Sequence, residues 1–539
     1  MRTLTVLTLA LFAAPPSPAQ DPAQHDHAAP EKLGRVHFVT SCSPEVGAAF
    51  DRAVALLHSF AFSAAKQAFE GVLAKDASCA MAPWGIAMTH WGNPFAGLRP
   101  AKALAEGQAA ADRARTTGSP TQRERDYIAA VAELYKAHGT VDQRTRVLAY
   151  ERAMEDVYRK YPEDREAAAF YALAVNQTAL PSDKTYAQQL KAAAILEKLF
   201  ASQPEHPGLA HYIIHAYDHP PLAPRALEAA RRYAKIAPSA PHVLHMPSHT
   251  FTRVGSWQES IETNIASAAA ANRDGTFGEA LHAMDYEMYA YLQSGQDSAA
   301  RRLMDEAPRV LAKLDVNAMG GAAPGVAGLY AAAAITARYA MERGAWSDAA
   351  ALQAPSTPFP YVDALTRFAR AIGAARSGKL EAARADAAEL RSLGDKLTAM
   401  KDADWSEKVR IQFEIASAWI VFADGRQSEA LEQLRKAADA EDATDKSAIS
   451  PGPLAPAREL LGEMLLAVRR PADALKEFEA TMKKEPKRFR AAYQAAKAAS
   501  LAGNTAAARR YYRQLADICK AGDTPGRPEL QEARRFKAS

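Results

Sequence analysis

Apolar and small residues along this chain fall into helical stretches separated by short breakers. Gly295-Gln296, Arg343-Gly344 and Ser377-Gly378 are such breakers, each of the length an αα-hairpin turn requires. The stretches between them are rich in alanine and poor in β-branched residues, which favours helix over sheet. One pattern recurs within them. Downstream of Leu461-Gly462, Ala474 is followed four residues later by Phe478 and eight residues after that by Pro486. Ala508 and Tyr512 restate the small-then-aromatic step 34 residues further on. The small residue lets two helices approach closely, and the aromatic plugs the gap to the next unit. Weaker copies are Ala65 with Phe69, Ala229 with Tyr233, and Ala299 with Leu303.

This spacing resembles that of the tetratricopeptide repeat superfamily, strongly over 454–519 and loosely over most of the chain. The resemblance implies an all-α solenoid, a right-handed superhelix of roughly twelve helix pairs. It also implies a concave groove of the kind that holds a protein or peptide. Two aperiodic, proline-bearing stretches, 351–360 and 441–456, read as irregular connections. The expected organisation is a signal peptide over 1–19 and a flexible leader over 20–36. A repeat block with a histidine-rich groove follows over 37–353, then middle repeats over 354–440. The connection over 441–456, C-terminal repeats over 457–519 and a tail over 520–539 complete it.

Length and charge fit that picture. A chain of 539 residues is too long for one compact core, whereas in an array each unit needs only its neighbours. The 66 basic and 62 acidic side chains nearly balance and form no long basic block, so charge gives nucleic-acid binding no support. Arg2, the apolar run 4–14 and the small residues Ser17-Pro18-Ala19 read as a secretory signal cleaved near Ala19 or Gln20. That predicts a periplasmic or secreted protein without a transmembrane segment. His25 and His27 lie in the leader. Export permits disulfides, and Cys42 and Cys79 flank the first helical pair, where they form either a staple or two buried thiols. Cys519 is the odd one and reads as a core thiol.

The unusual chemistry is histidine. Seven of the 14 histidines lie between residues 206 and 249. His211 and His215 are four apart, as are His245 and His249, and His282 and Asp285 are three apart, so each pair shares a helix face. The first helices of three successive pairs are predicted over 206–219, 245–255 and 277–294, with second helices over 223–236 and 257–272. Neighbouring first helices lie roughly 10 Å apart, so side chains from adjacent ones can converge. The candidate ligands are therefore His211, His215, His245, His249, His282 and Asp285. Asp218 is a partner that orients a histidine or acts as a base. Imidazole and carboxylate donors suit a divalent transition metal: zinc, copper, iron or manganese. The competing reading is a structural network in which each ring bonds a neighbouring Tyr, Asp or backbone group. His206 reads as shaping a turn, His219 as ending a helix and His242 as capping one. His58 and His90 read as satisfied core or groove residues.

Several segments look like a narrower group of exported bacterial repeat proteins. They are Thr40-Ser41-Cys42, Leu56-Leu57-His58-Ser59-Phe60, Cys79-Ala80-Met81-Ala82 with Trp84-Gly85, His206 through Asp218, and His245 through His249. The resemblance spans about 40–295 and carries architecture and export without a mechanism. No G-x-S-x-G elbow, P-loop, G-x-G-x-x-G or H-E-x-x-H occurs. Three functions follow as expectations. The first is an exported binding scaffold whose groove holds a partner beside a histidine-bound ion. The second is a metal-dependent hydrolase or oxidase using that ion. The third is a scaffold with purely structural histidines.

Overall fold

The alanine-rich stretches fold as helices. A computed structural model describes residues 31–318 and 321–538. They form twenty-six α-helices and two short 3-10 turns, and no strand occurs among the described residues. The signal peptide over 1–19, most of the leader, and His25 and His27 lie outside the described residues. From Lys32 onward the chain is one compact unit, an all-α solenoid in which successive helices pack on one another.

Close approach at small residues explains the repeat pattern. A Cβ placed on Gly462 would lie 2.6 Å from the ring of Phe478, so only glycine admits that ring. Gly85 stands in the same relation to Phe69, at 2.3 Å. Ala474, Phe478, Ala508 and Tyr512 are all buried. The third weak copy shifts by one residue: Ala299 is half-buried, and its neighbour Ala300 is the one in the core. The buried apolar residues form three clusters, each drawn mainly from one stretch of chain, as stacking of neighbouring units requires.

The histidine region follows the predicted alternation with one difference. Helices Pro207–Ala216, Leu227–Ile236, Trp257–Arg273 and Phe277–Gln293 lie where the first and second helices are expected. The element expected over 245–255 is two short helices, Pro241–His245 and Pro247–Val254. Pro247 has no N–H to continue the first. Met246 between them keeps helical angles (φ −54°, ψ −35°), so the two run on with little change of direction.

The C-terminal repeats return to these helices. The Phe489 N–H donates to the Gln293 side chain at 2.8 Å, the Trp257 indole donates to the Lys487 carbonyl at 3.0 Å, and Arg527 pairs with Asp297 at 2.7 Å. Buried arginines fix the contact. Arg488 meets Glu342 at 2.7 Å and Glu459 at 2.8 Å. Cys42 and Cys79 form a disulfide that joins the chain before the first helix to the start of Met81–Trp91. Cys519 is a buried free thiol. Among the described residues no helix is long and apolar enough to cross a membrane.

Candidate metal centre

Six buried histidines meet in two triads. His211, His215 and His242 make one, and His245, His249 and His282 make the other. The Nε2 atom of His211 lies 3.1 Å from that of His215 and 3.2 Å from that of His242. The Nε2 atoms of His245 and His249 are 3.1 Å apart. An ion about 2.05 Å from each nitrogen sets two of them about 2.9 Å apart at a right angle and about 3.3 Å apart at the tetrahedral angle. All three separations fall in that window.

The outer ring nitrogens decide what the inner ones can do. His211 Nδ1–H donates to the His58 carbonyl at 2.7 Å. His245 Nδ1–H donates to Asn264 Oδ1 at 2.8 Å, and the Asn264 amide is oriented by its own donation to the Ser260 carbonyl. His249 Nδ1–H donates to Asp218 Oδ2 at 2.8 Å. In each neutral ring the proton sits outward, leaving a lone pair on Nε2 pointing inward. Outer carbonyl and carboxylate partners orient metal-ligating imidazoles in this way. His282 adds a buried Nδ1 with no hydrogen-bond partner.

Burial keeps the rings neutral. It pushes His211 and His282 down to about 3, the former helped by the nearby His58 and His249 rings and the latter by His249 and Lys446. Burial also drives His215, His242 and His245 well below the ordinary imidazole range, and the neighbouring imidazoles add to the shift. Aromatic rings close the surroundings. Phe60 lies 4.3 Å from His211 and Phe95 4.3 Å from His215, centroid to centroid. Tyr286 lies 4.8 Å from His245 and 5.0 Å from His249.

Two sequence expectations need correction. Asp285 does not join the triads. It is fully buried and accepts from Arg338 Nε at 2.7 Å, because Arg338 brings a charge into the core that, among the described residues, this carboxylate alone pairs with. His242 is not merely a cap. It sits three residues before His245 on the helix Pro241–His245 and completes the first triad. The five rings expected at one point, His211, His215, His245, His249 and His282, are instead divided between two.

Asp218 takes an orienting role rather than that of a base. Burial would raise its pKa, but Lys446 and Arg253, with the His249 N–H, hold it well below the usual carboxylate range. One oxygen takes His249 and Lys446 (2.9 Å), and the other takes Arg253 (2.9 Å).

The connection over 441–456 is a cover for this region. Lys446 reaches both Asp218 and the Tyr286 hydroxyl, and that hydroxyl donates to the Ser450 carbonyl at 3.0 Å. Arg338 donates to Ser450 Oγ, the Gly452 carbonyl and the Pro453 carbonyl, holding the cover down. Sequence reading missed Lys446, Arg253, Asn264 and Tyr286. The i, i+3 spacing of His242 and His245 was the one available signal for His242.

A third cluster, His58, Glu166 and His206, is of another kind. Asp164 caps the helix Arg165–Thr178 by accepting from the N–H groups of Glu166 and Ala167. The Glu166 carboxylate then bridges His58 Nε2 at 2.8 Å and His206 Nε2 at 2.9 Å, and His58 Nδ1 bonds the Tyr212 hydroxyl at 2.8 Å. Gly208 makes room, since a Cβ there would lie 2.5 Å from His58 Nδ1. Both Nε2 atoms point at the Glu166 carboxylate rather than at a shared space, the buried His206 Nδ1 has no hydrogen-bond partner among the described residues, and the carbonyl of His58 supports His211. His219 lies beyond the helix end, 3.7 Å from Asp445, and His90 lies 3.4 Å from Glu106.

No protein-family model matches the chain, and no curated protein does. Among solved structures it is similar to the human IFIT1 dimer with m7Gppp-AAAA, at 12% identity over 82% of this chain and 90% of that one, with a TM-score of 0.35. An IFIT1 monomeric mutant with Gppp-AAAA is similar at 12% identity over 77% and 86%, with a TM-score of 0.34. Similarity this loose carries no argument about ligand or activity.

Proposed function

We propose that this is an exported helical-repeat protein whose function centres on transition-metal ions held by the two histidine triads, one ion in each. The observation that carries the reading is the His245–His249 contact, two Nε2 atoms 3.1 Å apart whose rings both commit their protons outward, to Asn264 and Asp218, together with the His211 Nε2, whose ring donates to the His58 carbonyl and which lies 3.1–3.2 Å from His215 and His242. A purely structural network would be expected to place a proton donor opposite each acceptor. In the His58–Glu166–His206 cluster a carboxylate stands opposite both Nε2 atoms, and the cluster is assigned a structural role.

Three protein ligands per ion is the pattern of a site with an open position, whereas structural ions are closed by four. This favours metal-dependent chemistry, hydrolytic or oxidative, over an ion that only braces a partner-binding groove. The disulfide Cys42–Cys79 supports an oxidising compartment and hence export.

Elemental analysis of untagged protein tests the reading. The expected result is two first-row ions per chain, with His211→Ala plus His215→Ala losing one and His245→Ala plus His249→Ala losing the other. Metal that is substoichiometric and lost on desalting would leave only the repeat scaffold.

A further inference from the structure

We infer that the two triads form one centre: a pair of copper ions sharing a small anionic bridge such as hydroxide. This rests on the metal-binding reading above and adds its nuclearity, its metal and its ligand.

The triads adjoin along two edges. His215 and His249 lie 6.2 Å apart, centroid to centroid, and so do His242 and His245. Rings inside a triad span the same range, from 4.5 Å for His245–His282 to 6.4 Å for His249–His282. One short helix serves both. Pro241–His245 gives His242 to the first triad and His245, three residues on, to the second. Their separation is therefore set by less than one turn of backbone.

The donors are all imidazole. The nearby carboxylates are committed elsewhere: Asp218 to His249, Lys446 and Arg253, Asp285 to Arg338, and Glu166 to His58 and His206. Magnesium, calcium and manganese prefer oxygen, so they fit poorly. Among metals that accept imidazole, copper(II) stands above zinc in affinity.

Charge supplies the bridge. Two dications in a buried pocket of neutral ligands repel strongly, because the surrounding dielectric is low. Lys446 and Arg253 add positive charge that Asp218 meets directly and Glu485 and Asp445 offset only from farther off. An anion between the ions relieves this. It must be small, since the six rings are at most 9% exposed. The large cleft nearby, about 990 Å³, is lined by Arg253 and Lys446 but by none of the six histidines.

The test loads metal-free protein with copper(II), desalts it, and compares copper content with the electron paramagnetic resonance spin count. A bridged pair couples its spins, so two coppers per chain with a spin count far below the copper count is expected. His215→Ala and His249→Ala should each halve the copper and restore one full spin per chain. Added azide should change the ligand-to-metal absorption of the paired form only. Circular dichroism checks the fold of each variant, and His282→Gln replaces His249→Ala if that variant unfolds. Two coppers with two full spins would overturn the pairing and leave two separate sites. Zinc that resists displacement by copper would overturn the metal assignment. Retention of neither metal would remove the metal-binding reading itself.

Discussion

His245 and His249 face each other across 3.1 Å through nitrogens that have no proton to share, since each ring spends its Nδ1–H on an outer acceptor, Asn264 and Asp218. Two lone pairs at that distance repel. An imidazolium would resolve the contact, but burial opposes the charge on both rings. A cation between them resolves it at no such penalty. Loaded protein should therefore melt well above metal-free protein. An ion present at about 1,000 times its dissociation constant stabilises by about 4 kcal/mol. Calorimetry with and without a strong chelator measures this, and coincident melting curves would count against a bound ion.

Asp218→Asn should weaken the second triad selectively. The substitution removes the carboxylate that orients His249 and leaves Lys446 and Arg253 buried without their directly bonded counter-charge. Loss of such an orienting partner lowers ion affinity about 10- to 100-fold, and breaking a buried pair costs about 3–5 kcal/mol. Competition with a chelator of known affinity should show one ion weakened more than the other.

The metal-free protein should lose stability as pH falls below about 6.5. Burial holds His211 and His282 at about 3 in the folded chain, against an ordinary 6.5. Between those values the unfolded chain binds protons that the folded chain refuses. The contribution is thus complete above the unfolded value and declines towards the folded one. Melting temperature against pH reads this directly. A flat profile from about pH 7 to about pH 5 would show that the rings are not held neutral.

Arg338→Met should act twice. It leaves Asp285 in the core without its cationic partner, a loss of about 3–5 kcal/mol, and it frees the cover at Ser450, Gly452 and Pro453. Denaturant unfolding should show the first effect, and faster release of ions to a chelator the second. Adding Asp285→Leu should recover stability without slowing release.

Gly462→Ala should destabilise the C-terminal repeats by about 1–3 kcal/mol through overpacking against Phe478. Phe478→Leu in the same chain should relieve part of the loss, which a double-mutant cycle would quantify.

The repeat was legible because its physics is local. Ala474, Phe478 and Gly462 pack within neighbouring helices, so a fixed spacing records their contact. The histidines were legible for the same reason: each i, i+4 pair states a shared face. Their division into two triads was not, because it depends on Pro247 breaking one expected helix and on His242 turning inward from a position that resembles a cap. Asp285 misled because its partner, Arg338, is 53 residues away. Lys446 lies 228 residues from Asp218 and carries no local signature, so the cover over the site emerges only from the return of the C-terminal block.

X-ray absorption at the edge of the bound metal tests the central claim most directly, because it counts the imidazoles around each ion. Three nitrogens per ion at about 2.0 Å, with the outer-ring scattering of imidazole, are expected. An oxygen-dominated shell, or one imidazole per ion, would contradict binding by the triads.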